Sequence, residues 1–138
     1  MRKTVKYRKL VRDKIPDKIK NDPDVIDYTF VPMDIDKFPK ALADKVVEEA
    51  KEVAAALVNY TTEANSYFAV LENEEKLKAK VIEEVGDLLD VIKVLRESYD
   101  IKKEDIKAAR KKKNKELGGF DNGYFLDKVV RRKTWKLK

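Results

Sequence analysis

The chain contains no cysteine and no histidine among its 138 residues. Without cysteine it forms no disulfide and offers no thiolate nucleophile. Without histidine it cannot build a Ser-His-Asp or Cys-His nucleophilic site, and a zinc hydrolase becomes implausible. Any metal chemistry must therefore depend on carboxylates, which favour hard cations such as Mg²⁺ or Mn²⁺.

Glycine and proline are also scarce, with four of each. This scarcity argues against an all-β protein with many turns, whereas the apolar residues recur with a helical period. No stretch approaches the roughly 20 apolar residues of a membrane span, and the N-terminus lacks the apolar core of a signal peptide. We expect a cytoplasmic, mainly α-helical protein with one domain over residues 1–138 and no membrane partner.

Charged residues make up 42% of the chain, and the two signs are unevenly distributed. Residues 41–100 carry 14 acidic and 7 basic side chains, whereas residues 101–138 carry 5 acidic and 14 basic ones. The first 40 residues are also net basic. An acidic centre between basic ends suits a metal site that serves a phosphate-bearing ligand.

Apolar spacing predicts two long helices in the acidic centre. The first extends from about Phe38 to Asn59, after an N-cap at Asp34 or Asp36, and ends before a turn at Thr61 and Thr62. The second extends over about residues 74–98. Each helix carries one apolar stripe, formed on the first by Leu42, Val46, Ala50, Val53 and Leu57, and on the second by Val81, Val85, Leu88, Ile92 and Leu95.

Shorter elements flank these helices. Pro16 and Pro23 predict an irregular N-terminal segment with one short helix. A last helix, capped by Asp100, is expected to end at Gly118-Gly119. Val25–Met33 and Tyr124–Val130 are rich in β-branched and aromatic residues, and we expect them to pair as a small two-stranded β element.

One sequence pattern occurs twice. Residues 45–53 read KVVEEAKEV and residues 80–88 read KVIEEVGDL. Two copies with different intervening sequence do not make a solenoid, so the pattern indicates the same surface built on two helices. A solvated face is the ordinary explanation of a single EExxE motif. Two copies with the same helical phase favour a shared site instead.

Each copy places two acids, at positions i and i+3, along the edge of its apolar stripe, because each residue turns the helix by about 100°. Packing the stripes together brings Glu49 and Glu52 close to Glu84 and Asp87. Four such carboxylates repel each other unless cations lie among them. Oxygen ligands favour Mg²⁺, with Mn²⁺ as a substitute. Asp90, one turn beyond Asp87, is placed to reach a further ion or to orient a water.

EExxE followed by EExxD on two helices resembles the all-α nucleotide pyrophosphohydrolases, the superfamily of MazG, dimeric dUTPases and phosphoribosyl-ATP pyrophosphohydrolase. KLVRDKIP (residues 9–16) and ELGGFDNGYFLDKVV (residues 116–130) are similar to the ends of a small MazG-like family within it. The 31 residues between Glu52 and Glu84 exceed the usual spacing of such small members. We expect the extra residues to lengthen the helices or to form a contact surface.

The resemblance implies a MazG-like helical bundle in which Glu49, Glu52, Glu84 and Asp87 bind Mg²⁺. It also implies cleavage of a nucleoside triphosphate, or a related nucleotide such as phosphoribosyl-ATP, between the α and β phosphates, in a housekeeping role. A homo-oligomer, dimeric or tetrameric, is implied as well.

Hydrolysis at the α-phosphate needs a positioned water and charge neutralisation on the phosphates. A carboxylate that is not committed to the metal can accept the proton of the water, and the candidates are Glu48, Glu83 and Asp90. Arg12 and Lys14, within the N-terminal motif, are our first candidates for binding the phosphates. The second set, chosen because related families place basic residues and asparagine there, is Lys111, Lys113 and Asn114.

A nucleic-acid-binding helical module is the alternative, motivated by the basic runs KKKNK and RRKTWKLK. The acidic centre argues against it, because the same polymer would be repelled there. A di-iron carboxylate bundle also uses glutamate pairs on helices, but it takes Glu-x-x-His from two of them. The absence of histidine excludes that design.

Overall fold

The computed structural model describes residues 2–32, 38–64 and 71–132, and α-helix is the regular secondary structure within these ranges. The helices are α1 (Ile15–Lys20), α2 (Phe38–Ala64), α3 (Leu71–Ser98) and α4 (Lys103–Leu117). The prediction of a mainly α-helical protein is confirmed. Backbone contacts divide the chain into two compact units, residues 1–100 and residues 101–138. None of the described helices combines the length and apolar character needed to cross a membrane.

The short helix α1 interrupts the basic N-terminal segment, as the sequence predicts. Pro16 lies in its first turn, where a missing backbone N–H leaves no helical hydrogen bond unmade. The helix ends at Asn21, whose N–H donates to the carbonyl of Asp17 at 3.0 Å. The residues immediately before and after α1 form neither helix nor strand, so the segment from Lys9 to Arg12 can lie across other elements.

α2 and α3 pack against each other as an antiparallel hairpin. Asn59, near the end of α2, shares a shallow surface pocket with Lys76 near the start of α3, while Glu49 lies beside Glu84. Both helices are longer than predicted, so the extra residues between the two acidic motifs do lengthen the helices. Thr61 does not mark a turn, because it lies inside α2 and its hydroxyl donates to the carbonyl of Leu57 at 2.9 Å.

The side chains between the two helices alternate in steps of four and three residues, which is the spacing of a coiled-coil seam. Each set is buried or half-buried, and a glutamate occupies one position in each set. The seam consists of Leu42, Val46, Glu49, Val53, Ala56 and Tyr60 on α2, and of Leu77, Val81, Glu84, Leu88, Val91 and Leu95 on α3.

The seam differs from the predicted apolar stripes. The sequence places Glu49 and Glu84 at the edge of the buried face, whereas the structure places both glutamates within it. Ala50, Leu57 and Val85, which are expected to be buried, are instead exposed. The centre of the buried face is therefore rotated by roughly 40° on each helix relative to the prediction, less than the turn of one residue.

This rotation leaves a second row of apolar side chains on each helix. Each member follows a seam residue by one position, and equal turns on two antiparallel helices point to the same side of the hairpin. We call this surface the apolar face. It comprises Val47, Ala50, Ala54 and Leu57 on α2 and Ile82, Val85 and Leu89 on α3, all exposed.

The prediction of a two-stranded β element is wrong. Residues 25–32 and 123–132 contain no strand, and Met33 lies outside the described residues. In the first segment, backbone N–H groups bond to nearby side chains instead, as when Tyr28 donates to Asp27 Oδ1 at 2.9 Å. In the second, Tyr124 and Val130 are about nine-tenths exposed, so no buried face compensates for ordering an isolated strand pair.

The sequence predicts the C-terminal end of α4 correctly but not its N-terminal cap. Asp100 does not cap the helix: it has φ +50°, and the N-cap position is Lys102, without a side-chain capping bond. The C-terminus is as predicted, because Gly118 adopts φ +80° and donates its N–H to the carbonyl of Asn114 at 2.9 Å. The candidate N-caps of α2, Asp34 and Asp36, lie outside the described residues.

Candidate metal centre

Three of the four predicted metal ligands converge at the middle of the hairpin. Glu49, Glu52 and Glu84 each offer a carboxylate oxygen, and these oxygens all lie within 4.8 Å of one another. Glu49 and Glu84 come from the seam and are only 6% and 5% exposed, whereas Glu52 is open to solvent. The site is thus walled by packed helices on the seam side and accessible through Glu52.

The two buried glutamates bond in the same manner. Oε1 of each forms an ion pair with Nζ of the lysine four residues earlier. The distance is 2.9 Å from Glu49 to Lys45 and 2.7 Å from Glu84 to Lys80. The other oxygen, Oε2 of Glu49 and Oε2 of Glu84, is buried and lacks a hydrogen-bond partner among the described residues. An unpaired buried carboxylate oxygen is costly, so its persistence requires an explanation outside the protein's own hydrogen bonds.

Lys45 and Lys80 were missed as site residues by sequence reasoning, although a signal for them exists. Each is the first residue of its copy of the repeated pattern, one helical turn before the buried glutamate. Although burial lowers it, the hydrogen bond to Glu49 and the charges of Glu49 and Glu48 raise the pKa of Lys45 overall. The Lys45 side chain is 14% exposed, against 54% for Lys80.

Glu52 and Glu84 face each other across the helices, with carboxylate oxygens within 4.8 Å. Partial desolvation, a hydrogen-bond interaction with Glu84 and the charges of Glu49, Glu84 and Glu48 raise the pKa of Glu52. The hydrogen bonds from Lys80 and from Glu52 lower the pKa of Glu84, against the effect of burial. Of the two acids, Glu52 is therefore the one that binds a proton more readily.

Asp87, the fourth predicted ligand, is engaged elsewhere. Its Oδ1 accepts a hydrogen bond from Nη2 of Arg12 at 2.5 Å, and Nη1 of Arg12 donates to Oδ2 of Asp90 at 2.9 Å. The two aspartates lie one turn apart on α3, so one guanidinium bridges them. The hydrogen bonds and the negative charges of these aspartates raise the pKa of Arg12.

The other proposed acids pair with lysines. Glu48 accepts from Lys9 and from Lys45, each at 3.3 Å, and these contacts lower the pKa of Glu48 despite partial burial. Glu83 pairs with Lys80 at 3.4 Å and is 62% exposed. The structure thus places Glu48 and Glu83 beside the three-glutamate cluster rather than within it.

The predicted phosphate-binding residues fall into both compact units. Arg12 and Lys14 belong to the first unit, where Arg12 contacts α3 and Lys14 is the exposed N-cap residue of α1. Lys111, Lys113 and Asn114 are exposed positions on α4 in the second unit. Of the tail sequence RRKTWKLK, only Arg131 and Arg132 are among the described residues.

The residues present fit a hard divalent cation. The donors are all carboxylate oxygens, which suit Mg²⁺ or Mn²⁺, and two of them are buried without a partner in the described part of the chain. One exposed acid leaves room for water or ligand oxygens, as Mg²⁺ requires. A cation bonded to the two Oε2 atoms would remove the cost of leaving them unpaired.

No protein-family model matches the chain, and neither the curated proteins nor the solved structures contain a match to it.

Proposed function

We propose that this chain hydrolyses a nucleoside triphosphate, or a related nucleotide such as phosphoribosyl-ATP, to the monophosphate and pyrophosphate, with Mg²⁺ as cofactor. The observation that supports this proposal is the pair of buried, unpartnered oxygens on Glu49 and Glu84 within the described hairpin. The two glutamates occupy seam positions where aliphatic residues would stabilise the packing. Placing charged groups there is best explained by a function that needs them.

In this proposal, Glu49, Glu52 and Glu84 hold the cation. Glu49 and Glu84 are fixed by seam packing and by their lysine partners, so their free oxygens are oriented before a cation enters. A bound Mg²⁺ supplies charge neutralisation on the phosphates and polarises the α-phosphate for attack. The exposed Glu52 marks the side from which a nucleotide's phosphates can approach.

Basic side chains at the rim are proposed to bind the remaining phosphates. Arg12 offers a planar set of N–H donors beside the cluster, which suits bidentate binding of phosphate oxygens. Lys14 remains a candidate from the same segment. Lys111, Lys113 and Asn114 are kept as proposals that rest on the resemblance.

The proton acceptor is proposed among the acids next to the cluster. Efficient base catalysis favours a group whose pKa is close to the working pH. The lysines that lower the pKa of Glu48 therefore make it the weakest candidate. Glu83 and Asp90 remain, the former exposed beside Lys80 and the latter bound to Arg12.

We also propose that the chain forms a homo-oligomer through the apolar face. Among the described residues, only Leu42, Ala56 and Val91 are buried hydrophobic side chains. The apolar face, by contrast, leaves two adjacent rows of aliphatic residues in solvent, and patches of this kind mark interaction sites. A second copy related by a two-fold axis would cover both rows and complete a four-helix bundle.

Pyrophosphate release from a panel of ribo-, deoxy- and modified nucleoside triphosphates, with Mg²⁺ and then with chelator, tests the reaction. We expect Mg²⁺-dependent monophosphate and pyrophosphate, lost in Glu49→Gln and Glu84→Gln. Glu97→Gln is the matched control, because Glu97 also forms an ion pair with a lysine four residues earlier, Lys93 at 3.9 Å, but is exposed.

Three results would contradict the proposal. Orthophosphate as the product would overturn the reaction class, and full activity in the Glu49 and Glu84 variants would overturn the site. The third result has two parts: no hydrolysis of any nucleotide in the panel, phosphoribosyl-ATP included, and nucleic-acid binding that survives moderate salt. Together they would favour the nucleic-acid-binding module.

A further inference from the structure

The two copies of the repeated pattern differ in one contact. Asp87 holds the same place in the second copy that Glu52 holds in the first. Glu52 joins the cluster, whereas Asp87 is bound by Arg12 at 2.5 Å and is not part of the three-glutamate group. The acid that does not join the cluster, Asp87, is thus the one that is paired with a positively charged side chain of the protein.

We infer that Arg12 is a positioning residue that holds Asp87 away from Glu49, Glu52 and Glu84, and that a divalent cation displaces it. The inference rests on the proposed metal site. A cation among the three glutamates would repel the guanidinium and attract the Asp87 carboxylate. Arg12, once released, has its N–H donors free for phosphate oxygens.

The contacts of Arg12 with Asp87 and Asp90 are weak enough for a divalent cation to replace them. Its side chain is 57% exposed, and Asp90, its second acceptor, is 62% exposed. Ion pairs at such exposure are individually weak and are screened by salt. Asp87, its first acceptor, is 30% exposed, so breaking these pairs leaves no fully buried charge. Lys45 differs, because its side chain is 14% exposed beside the buried Glu49.

The segment that carries Arg12 is anchored independently. Lys9, three residues earlier, pairs with Glu48 on α2 at 3.3 Å, while Arg12 pairs with α3. The segment therefore crosses the hairpin on its acidic side. Loss of the Arg12 contacts leaves the Lys9 contact in place, so the exchange requires one side chain to move and no part of the fold to open.

This arrangement predicts opposite effects of one substitution on two ligands. Arg12→Ala removes the competitor for Asp87 and a positive charge near the site, so a metal ion alone should bind more tightly. The same change removes a phosphate donor, so the nucleotide should bind more weakly. A residue that only stabilised the fold would weaken both.

The experiment is a calorimetric titration of the full chain with Mn²⁺ alone, for wild type, Arg12→Ala, Arg12→Lys and Lys18→Ala. We expect Arg12→Ala to bind about fivefold more tightly, an effect the size of an exposed, two-contact ion pair. Arg12→Lys, which keeps the charge but not the planar fork, should lie between. Lys18, an exposed lysine of α1, is the charge-matched control and should match wild type.

Repeating the Arg12→Ala titration in an Asp87→Asn variant separates two effects: the release of Asp87 and the mere loss of a positive charge near the site. There Arg12→Ala should gain much less affinity for Mn²⁺, because the carboxylate to be released is absent. Equal or weaker Mn²⁺ binding by Arg12→Ala, with wild type binding normally, would overturn this inference and leave the proposed metal site standing. Failure of the wild type to bind Mn²⁺ would overturn both.

Discussion

Glu52 and Glu84 face each other across the two helices of the hairpin, with carboxylate oxygens within 4.8 Å although both side chains are acids. The two groups differ in their affinity for a proton, because the pKa of Glu52 is raised and that of Glu84 is lowered. A proton that binds here is therefore expected on Glu52, close to the position that a divalent cation would take. Proton and cation should therefore compete at this site.

The first prediction concerns pH. A raised folded-state pKa stabilises the protein fully below the unfolded pKa, and this stability is lost as pH rises through the folded pKa. For Glu52, metal-free protein should lose stability as pH rises above its ordinary value of 4.5. Glu52→Gln should remove this loss, which amounts to about 0.5 kcal/mol or less, because solvent screens the exposed Glu52.

Urea unfolding in chelator across a pH series measures this effect. Glu48 and Glu84 have lowered pKa values and act in the opposite direction, losing their contribution as pH falls. The difference between wild type and Glu52→Gln isolates the Glu52 contribution. A difference that does not change with pH would refute the raised pKa of Glu52.

The second prediction concerns the buried charge. Replacing Glu49 by leucine removes the unpaired Oε2 and fills a seam position with an aliphatic side chain. Metal-free stability should rise by about 1–3 kcal/mol, the cost of an unsatisfied buried polar group. Lys45 keeps a partner in this variant, because it also pairs with Glu48 at 3.3 Å. Mg²⁺-dependent turnover should be abolished, so stability and activity change in opposite directions.

Thermal and urea unfolding in chelator measure the stability of this variant. Glu83→Leu is the control, because Glu83 is 62% exposed and its replacement should change stability by about 0.5 kcal/mol at most. Destabilisation by Glu49→Leu, with Glu83→Leu near wild type, would show that Glu49 is held by contacts that stabilise the fold.

The third prediction compares the two lysines at the start of the repeated pattern. Lys45 and Lys80 make the same ion pairs at i+3 and i+4, but Lys45 is far more buried. Lys45→Met should destabilise the protein by about 1–2 kcal/mol, because Glu49 then keeps a buried charge without its partner. Lys80→Met should cost clearly less. Equal losses in unfolding experiments would mean that burial does not set the strength of these pairs.

The fourth prediction concerns the apolar face. Leu57→Glu combined with Leu89→Glu should weaken self-association by at least about tenfold, because the two changes would bury an unpaired charge near each end of the apolar face. Light scattering after gel filtration, over a dilution series, measures the effect. Val58→Glu is the control, since Val58 is 61% exposed but lies outside the apolar face. A monomeric wild type at high concentration would rule out this interface.

Local patterns were sufficient to predict the helices and the relationship between the two acid motifs. The repeated KVxEE pattern predicts that Glu49 and Glu84 hold equivalent positions, and the structure gives them the same partners at i−4. Helical periodicity could not decide which apolar row forms the seam, because each long helix has two neighbouring rows. That choice is made by the partner helix, and it placed Glu49 and Glu84 inside the seam.

Contacts between distant residues were beyond prediction from local pattern. Arg12 and Asp87 are 75 residues apart, and nothing near either residue indicates the other. The two expected strands failed for a related reason. Val25 and its neighbours have strand-like composition, but a strand forms only when a partner and a buried face are available, and both depend on tertiary structure.

The glutamates in the seam also restrict how α2 and α3 can align. A seam made only of aliphatic residues tolerates sliding by one heptad, since apolar side chains pack against one another at several offsets. Here any such slip would separate Glu49 from Glu84 and bury each carboxylate against aliphatic side chains alone. The acids that are proposed to hold the cation thus also select a single register for the hairpin, and a variant with leucine at both positions should gain stability while losing that selection.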